Sequence, residues 1–541
     1  MADIRIAVGV TGHRALREED RPILAERVKE ELNQLKAAYP HAELVMLNAL
    51  AGGADQLCAA CARELGIRLI APIPRPAEEY RSDFSEEEAV LFDALAKEAE
   101  VFVAPATEAL PAEGDAAALR HFQFRQSGIY IASHCHVLIA LWDGGEAKRG
   151  GCGSAECVAF ALDGAYDPVD GRMTYTGDSE AVIRIAAPRQ GKEACADGAA
   201  AGEVFYLGNH ERLGEILRET EEFGRLAEED GTPEDVHPLL PMHDHEEWDP
   251  ILHRLEKLYH RANSLSLASA KIYRRVLAAL AVIGTVITLA FLLYDEAEAI
   301  WMILICGAML LCAWGCRRFA VKSDCHRRYI EYRTLAECVR VQVYLRYAGS
   351  GAEAPRLMTW SQQTESTWVM RQVAAMAAGP APTKRRDIRE CWIEDQKDYH
   401  SRTEGKSRRA MAGNDRIVGI ALFLSIAFYI AAVIFEVTVG GLTRTPLMEI
   451  SNPDLWRTVL KLVLGTISAA TLFTANYYGK QSLARTTSDH AKMAGFYDKM
   501  LGQIERNGQS EALLVRLARE ELIENGNWSS YERDNTPDFS L

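Results

Sequence analysis

The sequence has no GxxxxGK[ST] phosphate loop and no GxGxxG turn, so neither ordinary ATPase chemistry nor the common dinucleotide fingerprint is supported. No second CxxC follows Cys58-Ala-Ala-Cys61, which reads as small apolar positions on a helix, and no metal site is expected. The twelve cysteines are scattered, as in a reduced, cytosolic chain. His134-Cys135-His136 reads as a strand entry rather than a ligand cluster. Met1–Val10 runs straight into a strand-like segment, without the charged start and apolar core of a signal peptide. An excess of basic charge is also missing. The formal net charge of −16 argues against a nucleic-acid partner, because phosphate neutralisation needs a basic surface.

That average conceals two different halves. Residues 1–250 carry 47 acidic against 23 basic side chains, a net of −24, and the rest of the chain carries +8. All the long apolar runs lie in the second half: Val276–Tyr294, Ile300–Cys316, Ile417–Val439 and Val459–Ala475. A helix needs roughly 20 apolar residues to cross the hydrocarbon layer, with about 17 tolerated, so four transmembrane helices in two hairpins are expected. Lys271, Arg274 and Arg275 precede the first pair, and Arg317, Arg318, Lys322, Arg327 and Arg328 follow it. Lys406, Arg408, Arg409 and Arg416 precede the second pair, with Lys480 and Arg485 after it. The positive-inside rule then places both termini and both large flanking regions in the cytoplasm of a multi-pass protein of the cell (inner) membrane. Glu436 and Lys461 fall near the outer ends of the third and fourth spans. They are read as snorkelling residues, as a charged pair, or as a charged ring at a pore mouth in an oligomer.

The second half repeats itself. Lys257-Leu-Tyr259-His260-Arg261 and Lys397-Asp-Tyr399-His400-Ser-Arg402 stand 140 residues apart, as do Leu277 and Ile417 at the start of the first and third spans. Each unit reads as cytosolic helix, hairpin, cytosolic helix: 251–378 and 384–541, joined by a linker at 379–383 that contains Gly379-Pro-Ala-Pro382. The aromatics Tyr329, Tyr332, Tyr344, Tyr347, Trp360, Trp368 and Trp392 are expected in the core of a helical stalk.

The first half alternates strand and helix signals. Ile4–Val10, Leu44–Ala49, Arg68–Pro72, Val101–Ala104 and Val137–Trp142 read as strands, with helical patterns between them. This order predicts an α/β Rossmann-like parallel sheet over residues 1–190, followed by an acidic extension or linker at 191–250. In such sheets, ligands bind beyond the carboxyl ends of the strands. Three runs fall there: Thr11-Gly12-His13-Arg14, then Gly52-Gly53-Ala54-Asp55 before a helix, then Asp143 followed by Gly150-Gly151-Cys152-Gly153-Ser154-Ala155-Glu156 before another helix. Glycines allow the backbone to approach a phosphate, and free amides at a helix start favour anions. Asp143 or Glu156 would accept hydrogen bonds from ribose hydroxyls or an amino group. The residues expected to bind a nucleotide-type ligand are Thr11, Gly12, His13, Arg14, Gly52, Gly53, Asp55, Asp143, Gly151, Ser154 and Glu156.

The succession Gly9-Val-Thr-Gly-His-Arg14, Ala49-Leu-Ala-Gly-Gly-Ala-Asp55, Glu79-Tyr80 with Asp83-Phe84, and Leu138-Ile-Ala-Leu-Trp-Asp-Gly144 resembles the SLOG superfamily, whose Rossmann-like domains include the Lonely guy phosphoribohydrolases. The membrane half, with Tyr332-Arg-Thr-Leu-Ala-Glu337 and Leu517–Trp528, is similar to SLATT domains, two-helix membrane effector modules. The resemblance implies a membrane effector that senses a nucleotide or NAD-derived ligand and answers by oligomerising and by forming a pore or disrupting the membrane, in anti-phage or other conflict defence. It implies no bound cofactor; the partners it implies are the lipid bilayer, the small ligand and further copies of the chain. The alternative is a membrane-anchored nucleotide or NAD N-glycosidase. Glu156 matches the catalytic glutamate of the hydrolases, although the turn before it departs from their Gly-Gly-Thr.

Overall fold

The computed structural model describes residues 4–107, 110–111, 115–146, 153–164, 181–231, 238–296, 299–439, 447–448, 450–480 and 483–535. It divides into two compact units, the first comprising Met1–Leu265, Glu331–Ile388 and Gln509–Asn527.

The first unit is built on β1 (Arg5–Gly12), α1 (Arg21–Ala38), β2 (Glu43–Leu47), α2 (Ala54–Glu64), β3 (Arg68–Ile73), α3 (Ala77–Arg81), α4 (Glu86–Ala96), β4 (Glu100–Val103), α5 (Ala116–His134), β5 (Val137–Trp142), α6 (Ser154–Asp163), β6 (Ala181–Ala186), β7 (Val204–Gly208) and α7 (His210–Asp230). The strands form one sheet in the order β4-β3-β2-β1-β5-β6-β7. Only β7, in the segment expected as extension or linker, runs antiparallel, against β6. The parallel α/β sheet is as expected. The strand β6 was not anticipated, because Arg184 interrupts its apolar run.

Alternation along β1 separates two cores. Ile6, Val8 and Val10 pack with Leu24, Val28 and Leu32 of α1 and with α2, while Ala7 on the opposite face packs with Ile129 and Ile131 of α5 and Val158 of α6. The chain moves outward from β1 to β4 and then returns to place β5 on the other side of β1. The two strands pair in register, Gly9 with Leu138 and Gly12 with Leu141, so their carboxyl ends emerge side by side. This reversal is the topological switch point, where an open α/β sheet leaves a crevice.

The remaining helices are α8 (Pro250–Glu296), α9 (Met302–Ser323), α10 (Cys325–Tyr347), α11 (Ala354–Leu357), α12 (Trp360–Glu365), α13 (Thr367–Ala377), α14 (Asp395–Thr438), α15 (Pro453–Lys480), α16 (Leu483–Asn507) and α17 (Glu511–Asp534). Part of this half completes the first unit. Ala375 and Ala378 enter the core over the sheet, Arg371 donates to the Cys135 carbonyl at 2.5 Å, and Gly379 N–H donates to the Tyr130 hydroxyl at 3.0 Å. Phe223 of α7 meets Tyr332 edge-on at 5.3 Å. A chain ending at residue 250 is therefore expected to aggregate, since it exposes the apolar faces of α5 and α7. Cooperative unfolding of such a fragment as a soluble monomer, followed by circular dichroism, would contradict this.

Within the same unit, α10 and α17 share a buried ionic cluster. Arg340 donates to Glu521 at 3.0 Å through Nε and also pairs with Glu337, which pairs in turn with Arg333. Of the aromatics expected in the helical core, Tyr332, Tyr344, Tyr347, Trp368 and Trp392 are buried. Trp360 is a correction: it is 69% exposed at the start of α12.

The second unit comprises Ser266–Ile330, Arg389–Gly508 and Trp528–Leu541. Three helical segments among the described residues are long and apolar enough to cross a membrane: Pro250–Asp295, Met302–Tyr347 and Arg389–Thr438. At most 11% of their most apolar windows is buried inside the protein. Ile417, Leu422, Phe423 and Ile430 of α14 all stand exposed, a surface suited to lipid contact and not to water. The fourth expected span lies on α15 and is not among the three; its side chains beyond 471 are outside the described residues. Each K-x-Y-H motif shares one continuous helix with the span that follows it. Glu436 is bound by Arg457 through two hydrogen bonds of 2.7 and 2.9 Å, rather than by the expected partner Lys461, which lies close enough to act on it electrostatically. Arg457, one turn before Lys461, has the planar fork that matches a carboxylate at two points.

Candidate functional site

A cavity of about 250 Å³ opens at the carboxyl ends of β1 and β5. Its walls come from distant parts of the sequence: Thr11, Gly12, His13 and Arg14 after β1, Asp55 on α2, Tyr80 on α3, Phe124 and Ser127 on α5, Gly153, Ser154 and Cys157 at the start of α6, and Arg189 after β6.

The turn after β1 carries both recognition chemistry and packing. Gly12 is required because a side chain there would collide with Ala54 on α2. Gly53 has φ +76°, and a side chain on it would strike the Arg14 carbonyl. Ala54 N–H donates to the His13 carbonyl at 3.0 Å, which ties the start of α2 to the loop. A side chain at Gly52 would meet the Glu88 carboxylate. These three glycines thus serve close helix-to-strand packing. Gly52 and Gly53, expected to approach a phosphate, are not among the wall residues of this cavity.

The turn before α6 is different. Among the described residues no side chain caps the helix, and a side chain added at Gly153 would meet none of them within 4 Å. Gly153 and Ser154 face the cavity from a helix start that is favourable to negative charge. Gly151 lies outside the described residues.

Two guanidinium groups reach the cavity. That of Arg14 lies 5.1 Å from the centre of the Phe124 ring, a cation–π arrangement. Arg189 donates to Asp143 Oδ2 at 2.8 Å. Asp143 itself is not a wall residue. Burial would raise its carboxyl, but the Gly145 N–H, His13 and Arg189 together hold it below the usual carboxylate range. His13 Nε2 lies 3.0 Å from both the Asp143 backbone N and its Oδ1, and burial lowers the pKa of the ring against the opposing effect of the Asp143 carboxylate. Asp143 therefore positions His13 and Arg189, instead of offering a free acceptor to a ligand. Glu156, the other expected acceptor, is not a wall residue either; it is ion-paired with Arg125, whose guanidinium covers the Phe160 ring at 4.7 Å.

Asp55 is the carboxyl among the wall residues. It is 6% exposed, and burial pushes its pKa up to about 7, against the weaker effects of the Ala51 N–H and Arg14. Because the folded-state pKa lies above the ordinary value of 3.8, the stability this group contributes is complete below about pH 4 and is lost as the pH rises through about 7. Asp55→Asn is expected to remove that loss. The variant should melt above the native protein at pH 8 and level with it at pH 4, read by thermal denaturation at both values.

The walls that the sequence reading did not anticipate are Phe124, Ser127, Cys157 and Arg189. Tyr80 entered it only through the resemblance. Burial pushes the Tyr80 phenol up, so it stays protonated. Among the described residues no group of three or more His, Cys, Asp or Glu could hold a metal ion.

No protein-family model matches the chain, and no curated protein does.

Proposed function

We propose that this chain is a membrane effector whose α/β unit binds a nucleotide-type anionic ligand. The observation that carries the reading is the composition of the switch-point cavity. Arg14, Arg189 and the start of α6 supply positive potential, and Phe124 supplies flat apolar surface. Anionic groups are drawn to such helix starts, and a guanidinium on an aromatic ring makes a platform for a base. The donors are local, and they offset an acidic surface that would otherwise repel the ligand.

In this reading the α/β unit is SLOG-like and the apolar helices are SLATT-like. The chain lies in the cell membrane with both termini cytoplasmic and four spans, and it works as a homo-oligomer. A ligand shifts such an assembly only by binding its two states with different affinity. The chain passes between the units inside α8, α10 and α17, so a change in the α/β unit has helical routes to the membrane. The sensor reading is favoured over the N-glycosidase because Glu156 is engaged with Arg125 and is not a wall of the cavity.

The test is to purify the full chain in detergent, denature it and identify the released small molecules by mass spectrometry. The expected result is a phosphorylated compound that is absent from the Arg14→Ala variant purified in parallel. Release of the same compounds from both proteins would count against the reading.

A further inference from the structure

The cavity presents a carboxyl where an anion-binding site has least use for one. Asp55 sits in the first turn of α2, 6% exposed, as a wall of the same space as Arg14 and Ser154. Its carboxylate has about four lone-pair directions. The Ala51 N–H meets one of them, and Arg14 acts on the group electrostatically without forming an ion pair with it. The groups facing it are Arg14 from the loop after β1, the Tyr80 hydroxyl from α3 and the Cys58 thiol from α2, with Glu88 of α4 beside neighbouring Gly52. A buried carboxylate left short of donors is costly, and a ligand that brings one is favoured. The other two carboxylates near the cavity are already committed, Asp143 to Arg189 and the Gly145 N–H, and Glu156 to Arg125.

We propose that Asp55 determines the specificity of this cavity: its carboxylate accepts a hydrogen bond from a sugar hydroxyl of a phosphorylated ribose whose phosphate lies toward Arg14 and the start of α6. This rests on the anionic-ligand reading given above. The size of the cavity selects a sugar hydroxyl over a base edge. At about 250 Å³ it is smaller than the pockets of drug-sized ligands, so a phosphate and a hydroxyl held within it are only a few bonds apart, as they are in a sugar phosphate. A charge-assisted bond of this kind discriminates strongly, because the analogue lacking the hydroxyl leaves the carboxylate buried and unmet.

The experiment measures equilibrium binding of AMP and of 2′,3′-dideoxy-AMP to the full-length protein in detergent. The native chain is expected to prefer AMP on the order of ten- to a hundredfold. Asp55→Asn, close to isosteric, is expected to lose most of that preference by weakening AMP while leaving the dideoxy analogue unchanged. A thermal melt confirms that the variant is folded. The ratio of the two affinities is also expected to fall as the pH drops from 8 to 6, since a protonated Asp55 accepts less well, and a purely structural aspartate would not move this ratio. Equal binding of both nucleotides by the native chain, or a preference that survives Asp55→Asn, overturns the assignment of Asp55 and leaves the anionic-ligand reading standing. Binding of neither nucleotide overturns both.

Discussion

Gly53→Val is expected to destabilise the α/β unit by about 4 kcal/mol or more, enough to leave it largely unfolded at 37 °C. Two effects add. The backbone at Gly53 has φ +76°, a region that a β-branched residue enters only under strain, and the new side chain is driven into the carbonyls of His13 and Arg14. Gly66 is the control. It has φ +67° but open space around its missing side chain, so Gly66→Ala carries the strain alone, about 1–2 kcal/mol. Denaturant unfolding of the two variants beside the native chain checks the difference. Similar costs at both positions would mean that the contact between the loop after β1 and the start of α2 is looser than described.

Arg340→Met is expected to be comparably severe at neutral pH, about 3–5 kcal/mol, and much milder at pH 5. Methionine nearly fills the volume, so the effect is electrostatic. The substitution takes a guanidinium away from Glu337 and Glu521, both buried, with buried Glu524 beside them. Burial, reinforced by the neighbouring Glu337, already lifts Glu524 to about 7 in the native cluster. With Arg340 gone, Glu524 loses a cation that lowers its pKa, which rises further. A group whose folded pKa is raised is stabilising below its unfolded value near 4.5 and loses that stability as the pH climbs through the folded value. The penalty should therefore grow between pH 5 and 8. Melting curves of the native chain and the variant across that interval measure it; a penalty independent of pH would show that packing, not charge, holds α10 to α17.

Much of the sheet was legible because its strands are buried on both faces. Val137–Trp142 is an unbroken apolar run with identical bounds in the sequence reading and in the structure. β6 was hidden by Arg184, a charge that seemed to belong outside. It is buried because its guanidinium rests between the rings of Trp142 and Phe205 and is paired with Asp197, partners that no local pattern reveals. The helical stalk was expected to be held together by its aromatics, and its buried ionic cluster was hidden for a related reason. Arg333, Glu337 and Arg340 recur at helical spacing and pair along α10, whereas Glu521, which also meets Arg340, lies on α17, nearly two hundred residues away.

At the candidate site, Thr11–Arg14 could be located because a strand end fixes where such a loop must lie. The glycines at 52 and 53 carried an ambiguity that sequence alone does not resolve, since a glycine demanded by packing and one demanded by a phosphate look alike. The structure separates them: Gly53 faces protein and Gly153 faces open space. Asp55 was grouped with Thr11–Arg14 but without a role, because its surroundings depend on where Arg14 and Tyr80 come to rest. Arg189 and Phe124 carried no signal. They become wall residues only through the crossover that brings β5 and β6 beside β1.

A ligand in the switch-point cavity is expected to alter the membrane region. The most direct measurement of this effect is dye release from phosphatidylethanolamine and phosphatidylglycerol vesicles containing the full-length protein, before and after addition of AMP. The account predicts tight vesicles without the nucleotide, saturable release with it, and no release when Arg14→Ala protein is used. Release that is the same with and without AMP, or unaffected by the loss of Arg14, would contradict it.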